Sequence, residues 1–107
     1  MNKTELEDKI RRLAHTLSLR ITILVEEHTF GNHTYLCAVI DDKNILFIEE
    51  PISQTIADTL KIVKKHETSI DDVVVFDELK DSSYICGKTG NGNMSIDDSI
   101  YYLISLI

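Results

Sequence analysis

The sequence predicts one α+β domain over residues 1–107: an antiparallel sheet (three-stranded meander plus a hairpin) with three helices, in the order α-β-β-β-α-β-β-α. Three observations carry this expectation. Apolar residues recur at helical spacing near both ends of the chain, three short β-prone runs are separated by tight polar turns, and a β-branched run, Val73-Val74-Val75-Phe76, stands alone late in the sequence. The length is close to the commonest domain size, and one proline with four glycines leaves little material for a linker.

The first helix is expected from about Thr4 to Leu17. Thr4 and Glu7 have capping-box spacing, and Leu6, Ile10, Leu13, Ala14 and Leu17 form the apolar stripe. Strand one follows at about Arg20 to Glu27, where Ile21, Ile23 and Val25 alternate with Thr22, Leu24 and Glu26. A Phe30-Gly31-Asn32 turn leads into strand two, about Thr34 to Ile40, and Asp41 to Asn44 turns into strand three, Ile45 to Glu49. Pro51 suits the first turn of a second helix, with Ile52, Ile56, Leu60 and Val63 as its stripe. A strand over Val73 to Leu79 and a partner over Ser83 to Gly87 make the hairpin; a short helix from Ser69, capped through Asp72, is the rival reading. Ser95 and Asp98 cap the last helix, whose stripe is Ile96, Ile100, Leu103, Ile104 and Ile107.

Strand two has no polar face, and strand three and residues 73–76 behave the same way. A half-exposed antiparallel strand alternates, so these strands are expected to be covered on both faces, by helices or in part by a partner subunit or target.

The net charge is −7 and unevenly placed: residues 1–65 carry −1, and residues 66–107 carry −6 with only Lys80 and Lys88 as bases. Such a field repels nucleic-acid phosphate and anionic lipid and attracts basic protein surface. The first 20 residues are charged throughout and no run is long enough to span a bilayer, so a soluble, cytoplasmic protein with no direct membrane or nucleic-acid contact is expected. Cys37 and Cys86 are too few for a disulfide scaffold; buried free thiols are expected, with an inter-strand bridge as the alternative.

Several motifs that would carry chemistry fall short. Gly87-Lys88-Thr89 resembles the end of a phosphate-binding loop, but Ser82 stands where its first glycine belongs, residues 90–93 (GNGN) delay the helix, and Asp97 and Asp98 would repel an anion at that helix start. His28, His33 and Cys37 flank a turn without a fourth ligand nearby, and neither cysteine carries a nucleophile signature. No metal and no cofactor is expected. Carboxylate doublets, in contrast, are frequent. Asp71, Asp72, Asp77, Glu78 and Asp81 lie close along the chain with few bases among them, and together with Asp97 and Asp98 they are the expected partner-binding patch.

The order α-β-β-β-α over residues 4–66 resembles a double-stranded RNA-binding domain, although residues 52–58 (ISQTIAD) lack a lysine-rich helix start and the charge opposes RNA. The complete element order resembles the effector-binding chaperones of type III secretion, which implies a small acidic homodimer and assigns no site residue. The reading of the sequence is a non-enzymatic module binding a basic protein stoichiometrically, as an inhibitor, an antitoxin or a phage-encoded anti-defence protein does, with a homodimer expected. A type III secretion-like chaperone is one alternative, and a small enzyme or ligand-binding domain using the 84–95 loop is another.

Overall fold

The computed structural model describes residues 1–30, 33–49, 69–86 and 94–107, with the side chains of Phe30 and His33 outside that description. The described elements are α1 (Lys3–Thr16), β1 (Ile23–Phe30), β2 (His33–Ile40), β3 (Lys43–Glu49), β4 (Asp72–Asp77), β5 (Ser82–Ile85) and α2 (Ile96–Ser105). The five strands form one sheet in sequential order, β1-β2-β3-β4-β5. The expected α+β class therefore holds. Two helices are present among the described residues, not three; the helix expected from Pro51 lies outside them.

One pairing corrects the expected antiparallel sheet. The meander β1-β2-β3 and the hairpin β4-β5 are antiparallel, but β3 and β4 run parallel, with Ile45 opposite Asp72 and Glu49 opposite Phe76. The connection between them covers residues 50–71, more than the dozen or so that a parallel crossover requires. Asp71 pins the register: its backbone N–H donates to the Asn44 carbonyl at 2.9 Å, and its Oδ2 accepts from the Asn44 N–H at 2.8 Å. Ser69 to Asp71 form no helix, so the strand reading of this segment stands over its rival.

Both helices pack on one face of the sheet. Leu6, Ile10, Leu13 and Ala14 of α1 and Ile96, Ile100, Leu103 and Ile104 of α2 meet Val25, Leu36, Ala38, Ile45, Phe47, Val74, Phe76 and Ile85. The opposite face carries a second buried cluster, Tyr35, Leu46, Ile48, Val73 and Val75. The apolar residues of β3 and β4 are thus buried on both faces. At the chain's end Leu103 and Ile104 dock, whereas Leu106, 59% exposed, and Ile107 do not.

Capping chemistry sets the helix ends. At α1 it lies two residues earlier than expected: Asn2, not Thr4, is the N-cap, its Oδ1 accepting from the Glu5 N–H while its Nδ2 donates to Glu5 Oε1, both at 2.9 Å. Asn serves as well as Thr at this position, and the spacing to Glu5 equals that from Thr4 to Glu7. At α2 the expected cap is present, Ser95 Oγ accepting from the Asp98 N–H. The C-terminus of α1 closes in a Schellman motif: the Leu19 N–H donates to the Ala14 carbonyl and the Ser18 N–H to that of His15. Ser18 holds the left-handed position, φ 56°, where glycine is the usual residue.

Among the described residues β1 is an edge strand, and it starts three residues later than expected. Thr22 directs its backbone toward Asp41, accepting from the Asp41 N–H, so Val25, Glu27 and Thr29 turn theirs away from β2. Ile23 does the same, and its carbonyl accepts from Arg11 Nη2 at 3.4 Å. At the other edge the Ser83 backbone exchanges two hydrogen bonds with Met94. Behind that bridge lie the two buried polar residues of the described chain, Ser83 and Ser99. Their hydroxyls bond each other, and Ser83 Oγ also reaches the Ser95 carbonyl at 2.9 Å, tying β5 to the start of α2.

Replacing Ser18 with glycine relieves the left-handed strain and raises unfolding free energy by about 0.5–1 kcal/mol, after allowing for the greater freedom of glycine in the unfolded chain. A urea titration checks this through an unchanged slope and a higher midpoint. Ser83→Ala costs about 1–2 kcal/mol in the same measurement, because it strands the buried Ser99 hydroxyl and the carbonyls it had served.

Candidate acidic interaction surface

β4 is an extended rod that separates the seven expected partner-binding carboxylates into two groups. Asp71 and Asp72 sit at its start, and Asp77, Glu78 and Asp81 at or beyond its end. Five residue steps at about 3.3 Å each put about 17 Å between the ends of this strand. Asp97 and Asp98 join the second group because α2 begins beside the β4–β5 turn: Asp81 Oδ1 accepts from the Ile96 N–H at 3.3 Å. The structure therefore brings five of the seven together and leaves Asp71 and Asp72 apart, the former engaged in the β3–β4 clamp.

Each carboxylate of the group has a local task. Asp77 Oδ1 accepts from the backbone N–H groups of Leu79 and Lys80, at 3.0 and 3.3 Å, folding the turn back on itself. Asp81 takes the left-handed conformation, φ 47°, that lets the chain re-enter the sheet as β5, and aspartate tolerates that region better than most residues. Asp97 bonds Lys9 Nζ of α1 at 2.6 Å. Glu78 receives the amino group of Met1. Asp98 is exposed in the first turn of α2, where a negative charge favours the helix dipole.

Between Glu78 and Asp81, in the turn, stands Leu79. The sequence places it at the end of a strand, but the strand stops at Asp77 and Leu79 occupies the tip of the turn, 98% exposed. Because Asp77 draws the Leu79 and Lys80 N–H groups inward, the leucine side chain is left in solvent. No periodicity in the sequence marks it; the Asp77–Asp81 spacing typical of a turn is the signal that would have.

Other expected or discarded sites fall as follows. His28 lies opposite Tyr35 and stacks on it with ring centroids 5.5 Å apart, while Cys37 lies opposite Glu26. Among the described residues no group of three or more His, Cys, Asp or Glu side chains is placed to hold a metal ion. Both cysteines are half-buried and form no disulfide; with β3 and β4 between β2, which holds Cys37, and β5, which Cys86 follows, at about 4.8 Å per strand, a bridge is out of reach. Much of the 84–95 loop, including the Gly87-Lys88-Thr89 segment, lies outside the described residues. No described helix is long and apolar enough to cross a membrane.

No protein-family model, curated protein or solved structure matches this chain. The functional reading accordingly rests on the geometry.

The Met1 amino group has its pKa raised above the ordinary 8.0, first by its hydrogen bond to Glu78, with the charges of Glu78, Glu49 and Glu5 adding and partial burial opposing. A raised folded-state pKa favours the charged amine in the folded chain. The contact's contribution is therefore complete below about pH 8 and fades as pH climbs through the higher folded value. Glu78→Gln weakens this dependence, so the stability gap between parent and variant narrows as pH rises above about 8 in paired urea titrations.

Proposed function

We propose that this chain is a non-catalytic module that binds a basic protein partner stoichiometrically, in the manner of an inhibitor or antitoxin, through the surface around the β4–β5 turn. The observation that carries this reading is Leu79, 98% exposed at the turn tip, in a rim made by Asp77, Glu78, Asp81, Asp97 and Asp98. A protruding leucine supplies an anchor for an apolar pocket, and the surrounding carboxylates steer a positively charged surface toward it and hold its register. The two classes of contact divide the work: carboxylates act on association rate and salt dependence, the leucine on residence time. A rigid mount supports this, since the turn is closed by Asp77, joined to α2 by Asp81 and tied to the amino terminus by Glu78.

The reading needs no open sheet face and no second copy of the chain. It also disfavours nucleic acid as the direct partner, because an anionic rim repels phosphate.

Leu79→Ser and Asp98→Lys change the surface without touching the capping contacts of Asp77, Asp81 or Ser95. Used as baits in the native host's lysate, the parent chain retains a basic protein that high salt releases. The double variant loses it, with the leucine truncation alone weakening binding by about thirtyfold for a loss of about 2 kcal/mol. Equal retention by both baits, or no enriched protein on the parent, overturns the proposal.

A further inference from the structure

An acidic protein carries, at the far end of α1 from the carboxylate rim, a cleft whose charged side chains are mainly basic. The cleft has a volume of about 510 Å³ and is lined by Arg11, His15 and Arg20 with an apolar wall of Ala14, Leu19, Ile21 and Ile23. Thr22 and Asp41 complete the lining.

Its construction follows from the local fold. Arg11 and His15 are one helical turn apart and share a face of α1. The Schellman turn at Ser18 then reverses the chain, so that Leu19 to Ile23 run back beside the helix they have just left and Arg20 joins Arg11 across the opening. Arg11 is steadied by two contacts made through one nitrogen, Nη2, to the Ile23 carbonyl at 3.4 Å and to Glu7 Oε1 at 3.6 Å. The one carboxylate in the lining, Asp41, is held by Thr22 of the same lining: its Oδ1 accepts from the Thr22 N–H at 2.8 Å and from the Thr22 hydroxyl at 3.2 Å.

We infer that this cleft binds a small organic oxyanion, a carboxylate or phosphate carried on an apolar body. Two guanidinium groups offer the planar paired donors that oxyanions match, and the imidazole adds a third donor. The aliphatic wall takes the body, and the volume lies in the range of small-molecule sites. Of the rim acids, Glu78 meets Met1, about 15 Å before Arg11 along the α1 axis and beyond the screening length of about 8 Å at physiological salt, and Asp97 is paired with Lys9, so the rim does not cancel the local attraction. This inference is independent of the protein-binding reading, since it uses none of the same residues.

Titration of isotope-labelled protein with phenyl phosphate, phenylacetate, inorganic phosphate and phenol, followed by amide shifts, tests it. Phenyl phosphate or phenylacetate is expected to saturate, moving the amides of His15 and Leu19 to Ile23, at least about tenfold more tightly than inorganic phosphate, with phenol failing to saturate. The tighter of the two organic anions identifies the oxyanion. Arg11→Gln and Arg20→Gln each weaken that binding by about tenfold, while Arg12→Gln, the same charge change on the same helix outside the cleft, stays within about twofold. The inference is overturned by absence of saturation with both organic anions, by shifts spread over Lys3, Lys43 and Lys80, or by equal weakening in the Arg12 variant.

Discussion

The parallel contact between β3 and β4 is the constraint from which the arrangement of this protein follows. It lies at the middle of the sheet, with Leu46 and Val75 fully buried on one face and Phe47 and Val74 on the other. Burial on both faces is the setting in which parallel strands persist. Strand direction decides where everything after residue 72 goes. Because β4 runs with β3, it ends beside Glu49; the turn that follows, the bridge to Met94 and the start of α2 are then delivered to the end of the sheet where α1 begins. A strand of opposite direction would have carried the turn and its acids to the other end. The two-way clamp between Asp71 and Asn44 fixes register as well as direction, and a slip of one residue would exchange the two buried faces.

Charge is distributed along the same axis. One end of the α1–α2 layer gathers carboxylates, and the opposite end opens a cleft lined by arginines and a histidine. The acidic end is knitted by short contacts, Lys9 to Asp97, Met1 to Glu78 and Asp81 to the α2 backbone, so its charges are held in place by the fold. Exposed pairs of this kind add little to stability; their consequence is geometric.

Much of the fold was legible in the sequence because it is written in local chemistry. Tight turns fixed the antiparallel neighbours, helical spacing marked the buried stripes of α1 and α2, and Ser95 with Asp98 located the last helix start. Thr4 with Glu7 had the capping-box spacing, but the same spacing links Asn2 to Glu5, and it is Asn2 that caps the helix. The direction of β4 was illegible for a different reason: an unbroken apolar run such as Val73 to Phe76 reads alike both ways, and only its distant partner distinguishes them. The candidate surface was half legible for the same cause. Of five acids near in sequence, Asp71 and Asp72 are carried away from Asp77, Glu78 and Asp81, since an extended strand is the longest path a few residues can make, while Asp97 and Asp98 join the latter from α2. Arg11, His15 and Arg20 looked unrelated because Ser18, not a glycine, makes the reversal that unites them.

The edge of β1, unpaired among the described residues, has its own consequence. Glu26 and Glu27 sit side by side in the strand, and alternation sends their side chains to opposite faces of the sheet. Any foreign strand that tried to extend the sheet would lay its flank against a carboxylate above and another below, whichever way round it arrived. Two adjacent residues thus act as a gatekeeper in both orientations along this edge.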